Sequence, residues 1–341
     1  MERHDDGHDH PPVRTDRRSA ESGEAETVVI SVRRREPHRE ATAGVRRTGG
    51  TGRATASARR VPWVFVAPAA ALCSAIVLGP SLLGAFYAFT EWDGLTAPKW
   101  VGLGNFAEFL TRPEGTGVLA HTLVIVLCYV AGVNAVGLGL ALGLERTLRT
   151  RNVLRTLFFL PAVVSPLVVA YVWKFILDTH GPLNAALEAI GLDAAAQPWL
   201  AKPETALPAI VGVMVWQFSG YHMLIYMAGL QGIQAQVREA AMVDGAGTWR
   251  LFRHIVLPQL RPAIAIGVAL STILSFTLFD QVMALTGGGP SGKTDTLGTY
   301  VYKQAFVNGQ YGYSAAVALL LVGVVCVAAV GQLRALRTED S

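Results

Sequence analysis

The sequence predicts an all-α, polytopic inner-membrane protein: six transmembrane helices behind a disordered basic tail. Three observations carry this. The 341 residues are 51% hydrophobic with a mean hydropathy of +0.37, too apolar for an ordinary soluble domain. Several apolar windows exceed the ~18 residues that mark a membrane-crossing helix. The basic residues between those windows fall into two unequal sets, as they do where cytoplasmic segments collect Lys and Arg.

Residues 1–60 hold 13 of the 29 basic residues, so the net charge of +4 describes the tail more than the chain. This stretch has almost no apolar periodicity and cannot bury enough surface to offset its chain entropy, so disorder is expected. His4, His8 and His10 suggest a metal cluster only weakly; a solvated polar tail is the stronger reading, and no metal or cofactor is expected anywhere in the chain. Arg59-Arg60 precedes an apolar run too long for a cleaved signal, which reads as an uncleaved anchor.

Spans are expected at about 63–90, 118–144, 153–177, 205–230, 262–286 and 314–333, all helical because a backbone in lipid must satisfy its own hydrogen bonds. The domain plan is a tail (1–60), a first helix with its outer loop (61–117), a five-helix core (118–336) and a short C-terminal tail (337–341). One set of segments carries the Arg-rich tail, then Arg146, Arg149, Arg151, Arg155, Arg238, Arg250, Arg253, Arg261, Arg334 and Arg337. The other carries Lys99, Arg112, Lys202, Lys293 and Lys303, with Lys174 near a span end. Both termini and the segment 231–258 are therefore expected in the cytoplasm. A short surface helix is expected in VGLGNFAEFL, an amphipathic stretch along the membrane face in GPLNAALEAIGL, and a short aromatic-containing segment in TYVYKQAF. Cys73, Cys128 and Cys326 lie in apolar runs and read as buried thiols without disulfide or zinc roles.

Between the fourth and fifth spans runs QGIQAQVREAAMVDGAGTWRLFRHIVLP, Gln231 to Pro258. Val237, Ala240 and Ala241 give a short helix a small apolar face, and Asp244-Gly245-Ala246-Gly247 breaks it where glycine tolerates a sharp turn. Thr248 is placed to cap a second helix carrying Trp249, Phe252 and Ile255/Val256, and Pro258 to end it. The expectation is a polar helix-turn-helix knob on a membrane protein.

Gly287 to Thr294, GGGPSGKT, satisfies the nucleotide pattern GxxxxGK[ST]. That loop joins a strand to a helix. Here it follows a span, carries Pro290, and falls on the outer side, so it is read as a coincidence.

The knob resembles the EAA loop of binding-protein-dependent ABC importer permeases. Glu239-Ala240-Ala241, three residues, Gly245, nine residues, then Ile255-x-Leu257-Pro258 match that signature, and Asp244-Gly245-Ala246 matches its fuller form. LTGGGP at 285–290, TDTLGTYVYKQAF, GYSAAVALLL, VGLGNF at 101–106, residues 158–177 and PWL at 198–200 are similar to the carbohydrate branch, specifically its maltose- and glycerol-3-phosphate-type first permease. The resemblance covers about 61–336. It implies the ABC type I importer transmembrane fold and a bacterial or archaeal plasma membrane. It also implies a translocation subunit without chemistry of its own. The implied partners are a second permease in a heterodimer, two ATPase subunits, an external solute-binding protein and a sugar. Glu239, Ala240, Ala241, Asp244, Gly245, Ala246, Ile255, Leu257 and Pro258 would couple to the ATPase, with Phe252, Ile255 and Leu257 anchoring the second helix.

Sugars are held by amides, hydroxyls and aromatic faces. The fourth span offers Gln217, Tyr221 and His222; the fifth offers Ser271, Ser275, Phe279 and Asp280. In the maltose type these two helices line the pocket, and Tyr221, Ser271 and Ser275 fall at matching positions; Gln217 and Phe279 complete the expected substrate path. Leu278 stands where the maltose type has an amide, which argues against maltose. Helix–helix hydrogen bonding is the alternative for each hydroxyl. His222 reads as a packed residue, and Asp280 as a gate or a partner for Lys174. A secondary transporter is the runner-up reading; it would need internal repeats and mid-membrane ion sites that the sequence does not display.

Overall fold

The computed structural model describes residues 63–145, 149–276 and 278–338. The tail with His4, His8, His10 and Arg59-Arg60 lies outside them, as do residues 339–341. Helix α1 (Trp63–Cys73) runs through a π turn (Ser74–Leu78) into α2 (Gly79–Tyr87). A two-stranded antiparallel ribbon follows, β1 (Thr90–Glu91) pairing with β2 (Lys99–Trp100), an addition to the all-helical expectation. Asp93 closes its turn, with one carboxylate oxygen accepting from the Leu95 and Thr96 amides at 3.0 and 2.8 Å. The surface helix α3 (Gly104–Thr111) lies where VGLGNFAEFL predicts one.

Helix α4 (Pro113–Glu145) starts five residues before the expected span. The third span, expected as one rod, is two helices: α5 (Arg151–Val163) and α6 (Pro166–Ile176), bent by 98°. The cause is in the sequence. Proline pushes the residue before it out of the helical region, and both Val164 and Ser165 are extended ahead of Pro166. A short helix α7 (Pro182–Ala189) follows where GPLNAALEAIGL sits, then α8 (Pro203–Gln231).

Next come α9 (Ala235–Val243) and α10 (Thr248–Leu251), which passes through a π turn (Phe252–Val256) into α11 (Leu257–Gln259). Two expectations fail here. Gly247, in extended conformation and without a side chain, stands at the cap instead of Thr248. Pro258 does not end the helix. It sits just past the π turn, where the helical bonding is already displaced, so its missing N–H is tolerated. The break falls at Leu260, and α12 (Arg261–Phe276) leaves at 68°.

The fifth span is also shorter than expected. Helix α12 stops at Phe276, residues 278–279 are not helical, and α13 (Asp280–Leu285) resumes. Two further helices complete the described residues: α14 (Leu297–Tyr302), closed by a π turn (Lys303–Val307) and covering most of TYVYKQAF, and α15 (Tyr311–Thr338). Among the described residues, four helices are long and apolar enough to cross a membrane, or up to six if each bent pair is one span.

Helix α8 is the hub: 56% of its apolar window is buried, against none of the Val66–Tyr87 window. It packs along α4, is crossed by α5, and meets α12 and α13. Small residues allow the close crossings. A Cβ on Gly220 would collide with the Phe158 carbonyl of α5, and one on Gly267 would meet the Tyr226 hydroxyl. One apolar core gathers Tyr129, Val133, Val169, Ile210, Met214 and Val282; a second gathers Leu144, Met223, Met227, Leu230, Val256 and Leu260. The cysteines correct the reading of buried thiols: Cys73, Cys128 and Cys326 are all exposed on helices rich in exposed apolar residues. A small apolar residue facing lipid or another subunit satisfies the same pattern as one facing a core.

Candidate functional site

The loop from Gln231 to Pro258 is built as two helices around one tight turn. Asp244 ends α9, and Gly245 takes the left-handed conformation at φ +78°. The Gly245 amide donates to the Met242 carbonyl at 3.1 Å and the Ala246 amide to the Ala241 carbonyl at 3.0 Å. This pair is a Schellman closure, which satisfies helix-end carbonyls and calls for glycine at the left-handed position. A Cβ on Gly245 would meet nothing within 4 Å, so its constraint is backbone angle, not space.

Side chains divide cleanly across the turn. Ala241 is buried, while Glu239, Ala240, Met242, Val243 and Asp244 are exposed. Ala241, Asp244, Ala246, Arg250, His254 and Ile255 line a shallow concavity of about 300 Å³. Of the residues expected to anchor the second helix, Phe252, Ile255 and Leu257 are only half-buried; Val256 and Leu260 are the ones packed into the core. The π turn explains the shift, because it inserts one residue into the helical repeat and turns the buried face by that much.

Sequence reasoning missed the clamp that holds this loop. Arg238 forms an ion pair with Glu145 at the end of α4, and its second guanidinium nitrogen donates to the Leu230 carbonyl at 3.1 Å. One side chain thus ties α9 to the ends of both α4 and α8. The available signal was Glu145, an acid in a flank otherwise rich in arginine. Beside this clamp, Leu142, Trp249, Phe252 and Val256 help to line a groove of about 730 Å³, over which Trp249 is 71% exposed.

The polar residues of the fourth and fifth spans do not form one group. Ser271 is fully buried; its hydroxyl donates to the Gly267 carbonyl at 2.8 Å and accepts from Asn134 Nδ2 at 2.9 Å. The Asn134 carbonyl oxygen accepts from the Tyr226 hydroxyl, so α4, α8 and α12 meet at one amide. Ser275 is buried and bonds its own helix through the Thr272 carbonyl at 2.7 Å. Tyr221, by contrast, is 39% exposed, and Phe279 is half-buried in the non-helical break with its ring 5.3 Å from that of Tyr302. Asn134 was overlooked, although a lone amide in the apolar α4 was its signal. His222 is fully packed, with Nδ1 3.2 Å from the Phe218 carbonyl.

Gln217 joins the two broken spans. Its Nε2 donates to the Val164 carbonyl at 3.0 Å, at the end of α5, and its Oε1 accepts from Gln281 Nε2 of α13 at 2.5 Å. A buried pair of amides therefore ties the break before α6 to the break before α13.

Among the described residues no ion pair links Asp280 to Lys174; Asp295 is paired instead, with Lys303 Nζ at 2.8 Å and the Thr299 hydroxyl at 3.0 Å. Gly287–Thr294 forms the elbow around that pair. Gly288 sits at φ +84°, where a Cβ would collide with the Asp295 carboxylate. The loop follows helix α13 instead of a strand, and the Thr294 hydroxyl is engaged by the Gly289 carbonyl and Thr286. The geometry is that of a structural elbow and not a phosphate cradle.

The family model for a "Binding-protein-dependent transport system inner membrane component" matches residues 135–338. A probable ABC transporter permease protein of Pyrococcus horikoshii is 35% identical over 262 residues, covering 76% of this chain and 89% of that protein. The multiple sugar-binding transport system permease protein of Streptococcus mutans is 33% identical over 273 residues, covering 80% and 93%. The fold is similar to that of a bacterial ABC transporter involved in the import of the acidic polysaccharide alginate. That match has a TM-score of 0.72 at 22% identity and covers 82% of this chain and 96% of that one.

Proposed function

Since this chain belongs to the family of binding-protein-dependent transport system inner membrane components, we propose that it is the permease subunit of an ABC importer that moves a carbohydrate across the plasma membrane. The observation that carries this reading is the loop Gln231–Pro258. Its turn exposes Glu239, Ala240, Asp244 and Gly245 on a rigid elbow, and Arg238 clamps that elbow to the ends of two long helices. Small residues at a turn let another backbone approach closely, and the exposed acids offer charged contacts to a basic cleft. A push on the elbow passes directly into α4, α8 and α12, as a mechanical coupling device requires.

In this reading the chain performs no hydrolysis. Hydrolysis belongs to two separate ATPase subunits, and a cleft of the ATPase grips Glu239–Ala246 and the second-helix residues Ile255, Leu257 and Pro258 of this chain. A second permease completes the translocation path in a heterodimer, and an extracytoplasmic solute-binding protein delivers the sugar. The arginine-rich connecting segments support a cytoplasmic side for the loop and both termini. Tyr221 and Phe279 face the path. Gln217, Ser271 and Ser275 lie in the layer behind, where their hydrogen bonds set the helices that present those rings.

The test is reconstitution of the complex with its ATPase and binding protein in proteoliposomes. Labelled sugar should accumulate only with ATP and only with the binding protein. Uptake that persists without the ATPase and collapses with an ionophore would favour a secondary transporter instead.

A further inference from the structure

On the outer side, six aromatic rings form an unbroken run that begins at the break in the fifth span. Phe279 lies 5.3 Å from Tyr302, Tyr302 5.2 Å from Phe306, and Phe306 6.0 Å from Tyr311. Tyr311 lies 5.8 Å from Trp92, which stacks on Tyr87 at 4.2 Å. Each ring is half-buried or exposed, Phe306 at 68% and Tyr302 at 37%. The run crosses four separate elements, so it is assembled by the tertiary fold and not by one helix face. Its outer end is fixed. The Gly312 amide donates to the Trp92 carbonyl at 3.0 Å, the Trp92 indole donates to the Thr96 carbonyl at 2.9 Å, and Gly94 sits against the Tyr311 ring.

Beside Trp92 opens a polar recess of about 200 Å³, lined in part by Glu91, Asp93, Glu108 and Gln310. Hydrogen bonds from the Thr96 and Leu95 amides and the Thr96 hydroxyl hold the Asp93 carboxyl down at about pKa 2, so its charge is present at any working pH.

We propose that this ring run is a guiding surface for neutral oligosaccharides, leading from an outer subsite at Trp92 to the candidate path at Phe279. The inference rests on the importer reading above. Pyranose rings present C–H faces that stack on aromatic rings and hydroxyl edges that donate to carboxylates and amides, and the run and its recess supply both. Glu91 and Asp93 on the recess wall favour a neutral sugar over a uronate, whose carboxylates they would repel, whereas Glu108 is paired with Arg112. An interfacial lipid belt is the competing use of exposed aromatics. Such a belt circles the outside of a bundle; this run instead leads inward to a helix break and meets a carboxylate-lined recess.

The test uses the complete complex in proteoliposomes with lactose, cellobiose, maltotriose and xylobiose, plus a trigalacturonate as the acidic counterpart. Tyr302→Ala combined with Phe306→Ala should raise KM for the transported neutral sugar about three- to ten-fold, the worth of one or two lost ring contacts. Basal ATPase activity and subunit composition should stay at wild-type values. Trp92→Ala should act alike and Trp92→Tyr should largely restore KM. Unchanged KM in the double variant, equal losses in both Trp92 variants, or faster uptake of the uronate than of every neutral sugar would each overturn the proposal. Loss of a subunit or of bilayer stability with KM intact would also overturn it, assigning the rings to assembly or lipid. Absence of wild-type uptake for all five probes would count against the carbohydrate-importer reading itself.

Discussion

At the scale of single residues, Gly245 and Arg238 show two kinds of necessity. Gly245 is required by its backbone, since the left-handed angle closes the helix while its side-chain space is open. Gly245→Ala should lower stability by about 1–2 kcal/mol, the cost of a Cβ in that region, with Gly245→Asn nearer to wild type. Thermal unfolding of the purified complex checks this, and equal behaviour of both variants would contradict it. Arg238 is required by its partners. Reversing the pair, Arg238→Glu with Glu145→Arg, should restore part of the uptake that Arg238→Glu alone abolishes, measured as a rate in proteoliposomes. No rescue would mean that the Leu230 carbonyl contact, or a surface beyond this chain, dominates. The two residues also differ in legibility. The glycine could be read from D-G-A-G between helical patterns, whereas the Arg238–Glu145 pair joins positions 93 apart in sequence and has no local signature.

At the scale of elements, the broken spans decide how the molecule is hinged. Apolar length pointed to the four long helices and to at least part of each bent pair among the described residues, but hydropathy is an average and does not register a bend. The break before α6 was available from Ser165-Pro166, because proline constrains the residue ahead of it. The break before α13 has no such marker; it is set by tertiary contacts, among them the Thr296 hydroxyl donating to the Leu278 carbonyl at 3.0 Å. Gln217 and Gln281 tie these two breaks together in the interior. Gln217→Leu leaves the Val164 carbonyl and the Gln281 amide without partners and should cost about 1–3 kcal/mol. The double variant Gln217→Leu with Gln281→Leu should cost less than the sum of the single ones, since it removes both orphaned amides. Additive losses in thermal unfolding would show that the two breaks are independent. The same logic separates the polar residues of the path. Residue type and spacing put Ser271, Ser275 and Gln217 among the candidates, but only the folded structure reveals that their hydrogen bonds are taken up inside the bundle while Tyr221 and Phe279 keep some exposure.

At the scale of the whole molecule, the importer reading requires one orientation and one mechanical route. In a background with Cys73, Cys128 and Cys326 replaced by serine, a cysteine at Asp244 should react with a membrane-impermeant maleimide only in inverted vesicles. A cysteine at Lys293 should react only in right-side-out ones. The opposite pattern would reverse the topology inferred from the arginines. The exposed α1–α2 window and the exposed cysteines fit a chain that meets lipid and a second subunit over much of its surface. The decisive measurement is ATP-driven sugar uptake, together with binding-protein-stimulated ATPase activity, in the reconstituted complex carrying Glu239→Lys. The account predicts that uptake is lost and stimulation falls toward the basal rate. Wild-type uptake with unchanged stimulation would contradict it.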